Sequence, residues 1–191
     1  MSVTVDEIRS RIAGMLWFQS IDLGHGVVTP GVWGPPNPYI LAAFDTIQWR
    51  DARVLDVGSL DGAWSFEAER RGAIEVYATD HARQPTLETA RDIRGSRVQY
   101  FPDLNVYDVN QRFRAGYFDI VIFAGVYYHL KDPLRAFALL RQVLKPTGMI
   151  IVEGPVWLAD FVWASFHYRD VFNNDKSNWW IPDPPVSPRV D

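Results

Sequence analysis

Arg53-Val-Leu-Asp-Val-Gly-Ser-Leu-Asp-Gly-Ala-Trp-Ser-Phe66 is the stretch whose reading decides the fold. Its first five residues make a strand-sized run, Gly58 and Gly62 break it, and the chain then restarts with helical spacing from Ala63. A strand that turns through glycines into a helix is the opening unit of an α/β sheet.

Working outward from it, short apolar runs alternate with helical patterns. Strands are expected at Arg53–Val57, Glu75–Thr79, Val98–Phe101, Phe118–Phe123 and Met149–Glu153, with a further short strand at Val106–Tyr107. Helices are expected at Ala63–Arg71, near Thr86–Ile93, and at Leu134–Leu144, which starts behind Asp132-Pro133 and stops at Lys145-Pro-Thr-Gly148. Fully apolar strands such as Ile120-Val-Ile-Phe123, separated by helices, indicate a parallel sheet covered on both faces. The expected class is a doubly wound, mostly parallel α/β sheet. Upstream, Val5–Phe18 and Tyr39–Trp49 carry helical periodicity. The segment between them is too rich in Gly and Pro to be regular and too rich in Trp, Val and Ile to be a solvated linker, so it reads as an ordered loop with a short edge strand.

Composition sets the outer bounds. With 191 residues, 48% hydrophobic and 22% charged, length favours one domain over residues 1–191: an N-terminal helix and lid loop to residue 50, a cofactor-binding core over 51–154, and an aromatic C-terminal segment over 155–191. A net charge of −4 gives no general polyanion-binding surface. The lack of cysteine excludes a disulfide framework and thiolate metal sites, and nothing else has metal-ligand spacing. Met-Ser-Val-Thr-Val-Asp-Glu7 lacks the layout of a signal peptide, and no apolar run is long enough to span a bilayer, so a cytoplasmic protein is expected.

In such sheets, ligands bind outside the carboxyl ends of the strands, where the strand order reverses. The strand ends here carry Asp56 to Gly62, Asp80 with His81, Asn105-Val106, Gly125 to His129, and Glu153. Gly58 and Gly62 suit a tight turn and the close approach of a ligand to the following helix. The Gly-x-Gly-x-x-Gly spacing of dinucleotide sites is absent, however, and Asp56 and Asp61 stand where a pyrophosphate would be repelled. Asp80 lies 22 residues after Gly58, the offset at which an acid accepts ribose hydroxyls. A nucleoside that carries a cation and a carboxylate but no phosphate describes S-adenosylmethionine (SAM). Asp61 reads equally well as a turn acid.

On these residues the chain resembles the class I SAM-dependent methyltransferases, a Rossmann-like fold. Val54-Leu-Asp-Val-Gly58 resembles their first motif, Asp80 their ribose-binding acid, and Phe118–Phe123 followed by Gly125-Val-Tyr-Tyr-His-Leu-Lys-Asp-Pro133 their fourth-strand motif. Leu144-Lys-Pro-Thr-Gly-Met-Ile-Ile-Val152 is similar to their turn into the fifth strand. Trp17–Gly31 and Gly125–His129 resemble the branch that contains the tRNA wobble-uridine 5-oxyacetate methyltransferases and shorter relatives of unassigned substrate. The resemblance implies that Gly58 and Gly62 flank the methionine moiety, that Asp80 holds the ribose, and that Asn105 and Val106 lie by the adenine, with Asp56, Ser59, His81 and Gly125 as further expected cofactor-binding residues. The wobble-uridine enzymes use carboxy-SAM, held by cationic groups, whereas lysine occurs here only at 131, 145 and 176. Ordinary SAM is therefore the expected cofactor. Family members also continue into two more strands, so either the C-terminal edge hairpin is replaced or missing, or the chain is a fragment.

Methyl transfer from a sulfonium needs in-line positioning, and a base only when the acceptor must lose a proton. The catalytic candidates by position are His129, Tyr128 and Glu153, with His25 in the opening loop. Pro155–Tyr168 and Trp179-Trp180 read either as an aromatic lid or as ordinary packing, and the proline-rich tail from Pro182 as extended. The expected acceptor is a small molecule. The alternatives are a tRNA, a SAM-binding module without catalysis of its own, and a nicotinamide-dependent oxidoreductase on the same fold.

Overall fold

The computed structural model describes residues 4–155. Five strands form one sheet: β1 (Arg53–Val57), β2 (Glu75–Thr79), β3 (Gln99–Phe101), β4 (Phe118–Ala124) and β5 (Leu144–Glu153), in the order β3-β2-β1-β4-β5 with every pairing parallel. The expected sheet is therefore present, and its order reverses between β1 and β4.

The helices are α1 (Val5–Ile12), α2 (Pro38–Asp45), α3 (Ala63–Arg70), α4 (Pro85–Arg94), α5 (Val109–Arg112) and α6 (Pro133–Val143). Alternation along β1 divides two cores. Val54 faces Ile8, Trp17, Phe44, Phe66 and Leu87, whereas Leu55 and Val57 face Val109, Phe118, Val121, Phe123 and Leu140. Phe44, Leu55 and Phe118 have no exposed surface, so cutting either phenylalanine back to alanine would cost about 3–5 kcal/mol.

Several boundaries differ from the sequence expectation, each for a local reason. α1 stops at Ile12 because Ala13 is extended and Gly14 takes a φ of +75°. Residues beyond it form a hairpin-like arm. Its one isolated bridge pairs Asp22 with Val28, and Ile21, Leu23, Val27 and Thr29 alternate inward. Val106–Tyr107 is not a strand but the start of a 3-10 turn, because the Asn105 side chain accepts the Tyr107 N–H at 3.0 Å. Lys145 to Gly148 is a bulge within β5, between the pairs Phe118↔Leu144 and Ile120↔Met149. Lys145 Nζ fastens it 2.5 Å from Asp119 Oδ1, and Asp119 Oδ2 accepts the Arg53 N–H at 2.9 Å.

Among the described residues no helix is long and apolar enough to cross a membrane. The aromatic segment beyond Pro155, Trp179-Trp180 and the proline-rich tail lie outside the described residues.

Candidate functional site

The crevice between the carboxyl ends of β1 and β4 is built by two touching turns. Gly58 follows β1 with a φ of +71°, and a Cβ there would lie 2.5 Å from Cγ2 of Val126, in the turn after β4. The bare backbone at Gly58 thus seats the β4 turn on the β1 turn. Gly62, with a φ of +91°, likewise leaves room for Phe66 and Leu87. Both glycines answer to packing within the chain as well as to the left-handed backbone.

Five N–H groups of this turn and the helix start after it have partners. Gly58 and Ser59 both donate to the Thr79 carbonyl, at 2.8 and 3.0 Å, and Gly62 donates to the Ser59 carbonyl at 2.7 Å. Leu60 donates to Asp80 Oδ2 at 3.0 Å, and Ala63, at the head of α3, donates to the side-chain carbonyl of Gln19 at 3.1 Å. An anion docking at this helix start would have to displace those bonds. Asp61 does not face the crevice. Its Oδ2 accepts Phe18 and Gln19 N–H at 2.6 and 2.8 Å and its Oδ1 accepts the Thr86 hydroxyl at 2.5 Å, so its role here is structural, with partners in the N-terminal arm and α4 rather than in its own turn.

Two acids and one hydroxyl remain at the strand ends. Asp56 is buried, and the Ser65 hydroxyl donates to its Oδ2 at 2.6 Å. Burial pushes the Asp56 carboxyl up to about 7, opposed by the Ser65 bond and aided by the charge of Asp80. Asp80 is also buried: its Oδ1 accepts the Ala82 N–H at 3.3 Å and stands 3.0 Å from His81 Nδ1. Tyr100 orders the loop beyond it, accepting the Gln84 N–H at 2.7 Å and donating to the Ala82 carbonyl at 3.2 Å. Ser59 is 1% exposed, and its hydroxyl finds no hydrogen-bond partner among the described residues. A buried hydroxyl without a partner calls for an account, which a water or a ligand would supply.

On the β3 side, the Leu104 N–H donates to the Asp80 carbonyl at 2.9 Å, which brings Asn105 and buried Val106 beside that acid. On the β5 side, Gly125 has a φ of +74° and donates to the Glu153 carbonyl at 3.0 Å. Tyr127–His129 form one 3-10 turn, with the Tyr128 and His129 rings 4.1 Å apart. Gly154 makes room for them, since a Cβ there would lie 2.4 Å from Tyr127 Cε1 and 3.0 Å from Tyr128 Cδ1. Burial, and then the charge of Glu153, raises the Tyr128 hydroxyl above its ordinary range, so it can donate a hydrogen bond but is a poor base at neutral pH. Tyr128, His129 and Glu153 therefore gather at one mouth of the crevice. His25 sits exposed at the tip of the N-terminal arm, with a φ of +54°. The cavity lined by Glu69, Ile74 and Arg97 opens at the amino ends of β2 and β3, and no expected site residue lines it.

Sequence reasoning missed Gln19, Ser65, Thr79 and Val126. Gln19 and Val126 act over a long separation, Thr79 through its backbone carbonyl, and Ser65 through a single side-chain bond to Asp56 nine residues earlier, none of which leaves a motif.

The Methyltransferase domain family model matches residues 55–152. A tRNA U34 carboxymethyltransferase of Chromohalobacter salexigens is 30% identical over 107 residues, covering 53% of this chain and 31% of that protein. Among solved structures, the PH0226 protein of Pyrococcus horikoshii OT3 aligns with a TM-score of 0.54 at 26% identity, covering 59% of this chain and 53% of that one. An S-adenosylmethionine dependent methyltransferase from Mesorhizobium loti shares the fold with a TM-score of 0.54 at 19% identity, covering 61% of this chain and 53% of that one. The chain spans between 29% and 42% of the length of the curated relatives it matches.

Proposed function

Because the chain belongs to the methyltransferase-domain family, we propose that it is a SAM-dependent methyltransferase that passes the methyl group to a small-molecule acceptor. The observation that carries this reading is the chemistry of the β1 turn. Its helix start is capped by Gln19 and so is poorly suited to a pyrophosphate, whereas Asp56, Asp80 and the orphaned Ser59 hydroxyl suit a cationic nucleoside. The same chemistry disfavours the nicotinamide alternative.

When bound, SAM supplies an electrophilic methyl group on a sulfonium. In this reading Asp80, steadied by the Leu60 and Ala82 N–H groups, accepts the ribose hydroxyls, with His81 beside it. Asn105 and Val106 flank the adenine. Asp56, Gly58, Ser59, Gly62 and Gly125 shape the methionine end, with Ser59 completing its hydrogen bonding on the ligand. Tyr128 and His129 form the wall from which the acceptor approaches, and Glu153 or His129 takes a proton where the acceptor must lose one. We read residues 1–191 as one domain working in the cytoplasm.

Calorimetric titration with SAM and S-adenosylhomocysteine (SAH) tests the reading, and no heat at high micromolar ligand would sink it. A second reading, methylation of a tRNA, is favoured by the named function of the Chromohalobacter relative. Transfer of a tritiated methyl group to bulk tRNA would establish it over the small-molecule reading.

A further inference from the structure

Eight arginines between Arg9 and Arg97 each stand 3.9 Å or less from a carboxylate oxygen. Further along the chain this pairing stops. Arg112, Arg114, Arg135 and Arg141 are all exposed, and among the described residues none of them forms an ion pair with a carboxylate. They meet rings and carbonyls instead. The Arg112 guanidinium lies 4.4 Å over the Phe101 ring, Arg114 4.9 Å over Tyr117 and Arg135 5.2 Å over Tyr107, while Arg141 Nη1 donates to the Leu144 and Lys145 carbonyls at 3.3 Å.

The four arginines belong to one face. The Tyr77 ring joins those of Phe101 and Tyr117, 5.9 Å from each, and Asn110 Nδ2 of α5 donates to Gln142 Oε1 of α6 at 3.1 Å, next to Arg141. α5 has only four residues, so the Phe101 and Tyr117 rings stay half-buried and guanidiniums are part of their cover. From Tyr107 to Gly148 the sequence holds six arginines and lysines against three aspartates. All three aspartates are engaged: Asp108 accepts from Gln111, Asp119 from Lys145, and Asp132 caps α6.

We propose that the α5–α6 face is a docking surface for an acidic segment of a partner protein. The proposal stands apart from the methyl-donor reading. A guanidinium laid on a ring has its orientation fixed while its in-plane N–H fork stays open, which suits the bidentate capture of a carboxylate at a small ordering cost. Nucleic acid fits this face less well. The chain as a whole carries −4, so the excess of acid lies outside the face, and a long polyanion would run from the arginines onto repelling surface. Charge is screened beyond about 8 Å at physiological salt, so a short acidic segment feels the arginines alone.

The test is fluorescence anisotropy of a labelled octaglutamate peptide titrated with the full chain at low and at physiological salt. Two triple variants of equal net charge are compared: Arg112→Gln/Arg114→Gln/Arg135→Gln on the face, and Arg9→Gln/Arg70→Gln/Arg83→Gln at arginines that already have acid partners. The wild type and the second triple are expected to bind alike, and the face triple about tenfold more weakly, with the wild-type affinity falling as salt rises. A thermal melt accompanies each protein. Where the face triple melts below the titration temperature, Arg114→Gln and Arg135→Gln take its place singly, each expected to bind about two- to threefold more weakly. Equal weakening in both triples overturns the proposal, because net charge alone would then explain it. So does a wild type that does not bind the peptide, or one that binds an octauridylate more tightly, which would assign the face to nucleic acid.

Discussion

Asp61 holds Phe18 across the fold: its Oδ2 accepts the Phe18 N–H at 2.6 Å, with the Gln19 N–H on the same atom at 2.8 Å. A carboxylate in the β1 turn thus clasps the N-terminal arm, and Gln19 in return caps the helix that the turn opens. Arm and turn form one unit, so a change in either is felt in the crevice.

Replacing Asp61 by alanine leaves two backbone donors and the Thr86 hydroxyl without their acceptor. The expected loss is about 3–5 kcal/mol in urea unfolding. Asp61→Asn should lose less, because it retains one carbonyl oxygen. Hydrogen exchange at the Phe18 and Gln19 amides separates this clasp from general destabilisation: both should lose protection first, and unchanged protection in Asp61→Ala would refute the clasp.

Gly58→Ala combines two penalties, a left-handed φ of +71° and a Cβ 2.5 Å from Val126 Cγ2. Together they should cost about 2–4 kcal/mol. Val126→Ala in the same chain should relieve the steric part alone, giving a coupling of about 1 kcal/mol in a double-mutant cycle. Additive losses would mean that the two turns do not bear on one another.

The strands were legible because burial on both faces writes itself as unbroken apolar runs, and Arg53–Val57 and Glu75–Thr79 begin and end where the sequence places them. The acids at the strand ends were legible for the same reason, since a charged residue closing an apolar run stands out. What each acid does was harder to read. Asp56 and Asp61 look alike in sequence, yet one is buried against Ser65 and the other is spent on an arm some 40 residues upstream. Nor did periodicity foresee the turn at Val106, where a single Asn105 side chain outbids the sheet for the Tyr107 N–H. Such choices are made by individual long-range or side-chain bonds, which pattern does not encode.

Asp56 should give the protein an unusual pH response. Its folded pKa of about 7 lies well above the ordinary aspartate range, so the folded state holds this proton more tightly than the unfolded state. The stability it contributes is full below about pH 4 and is lost as pH rises through about 7. Asp56→Asn, which still accepts from Ser65, should therefore be more stable than wild type at pH 8 and close to it at pH 4. Chemical denaturation at several pH values reads the difference, and a constant gap between the two proteins would show that Asp56 is ionised throughout.

Ser59 separates stability from binding most sharply. Its hydroxyl is buried and unpartnered among the described residues, and an unsatisfied group of that kind costs about 1–3 kcal/mol. Removing it in Ser59→Ala should raise the stability of the ligand-free protein by about 1 kcal/mol. If the hydroxyl completes its bonding on the cofactor, the same variant should bind SAH about five- to tenfold more weakly, because a hydrogen bond made only in the complex is gone. Opposite signs in the two measurements identify a ligand-facing hydroxyl. A merely structural serine would lose stability on substitution and leave the SAH isotherm where it was.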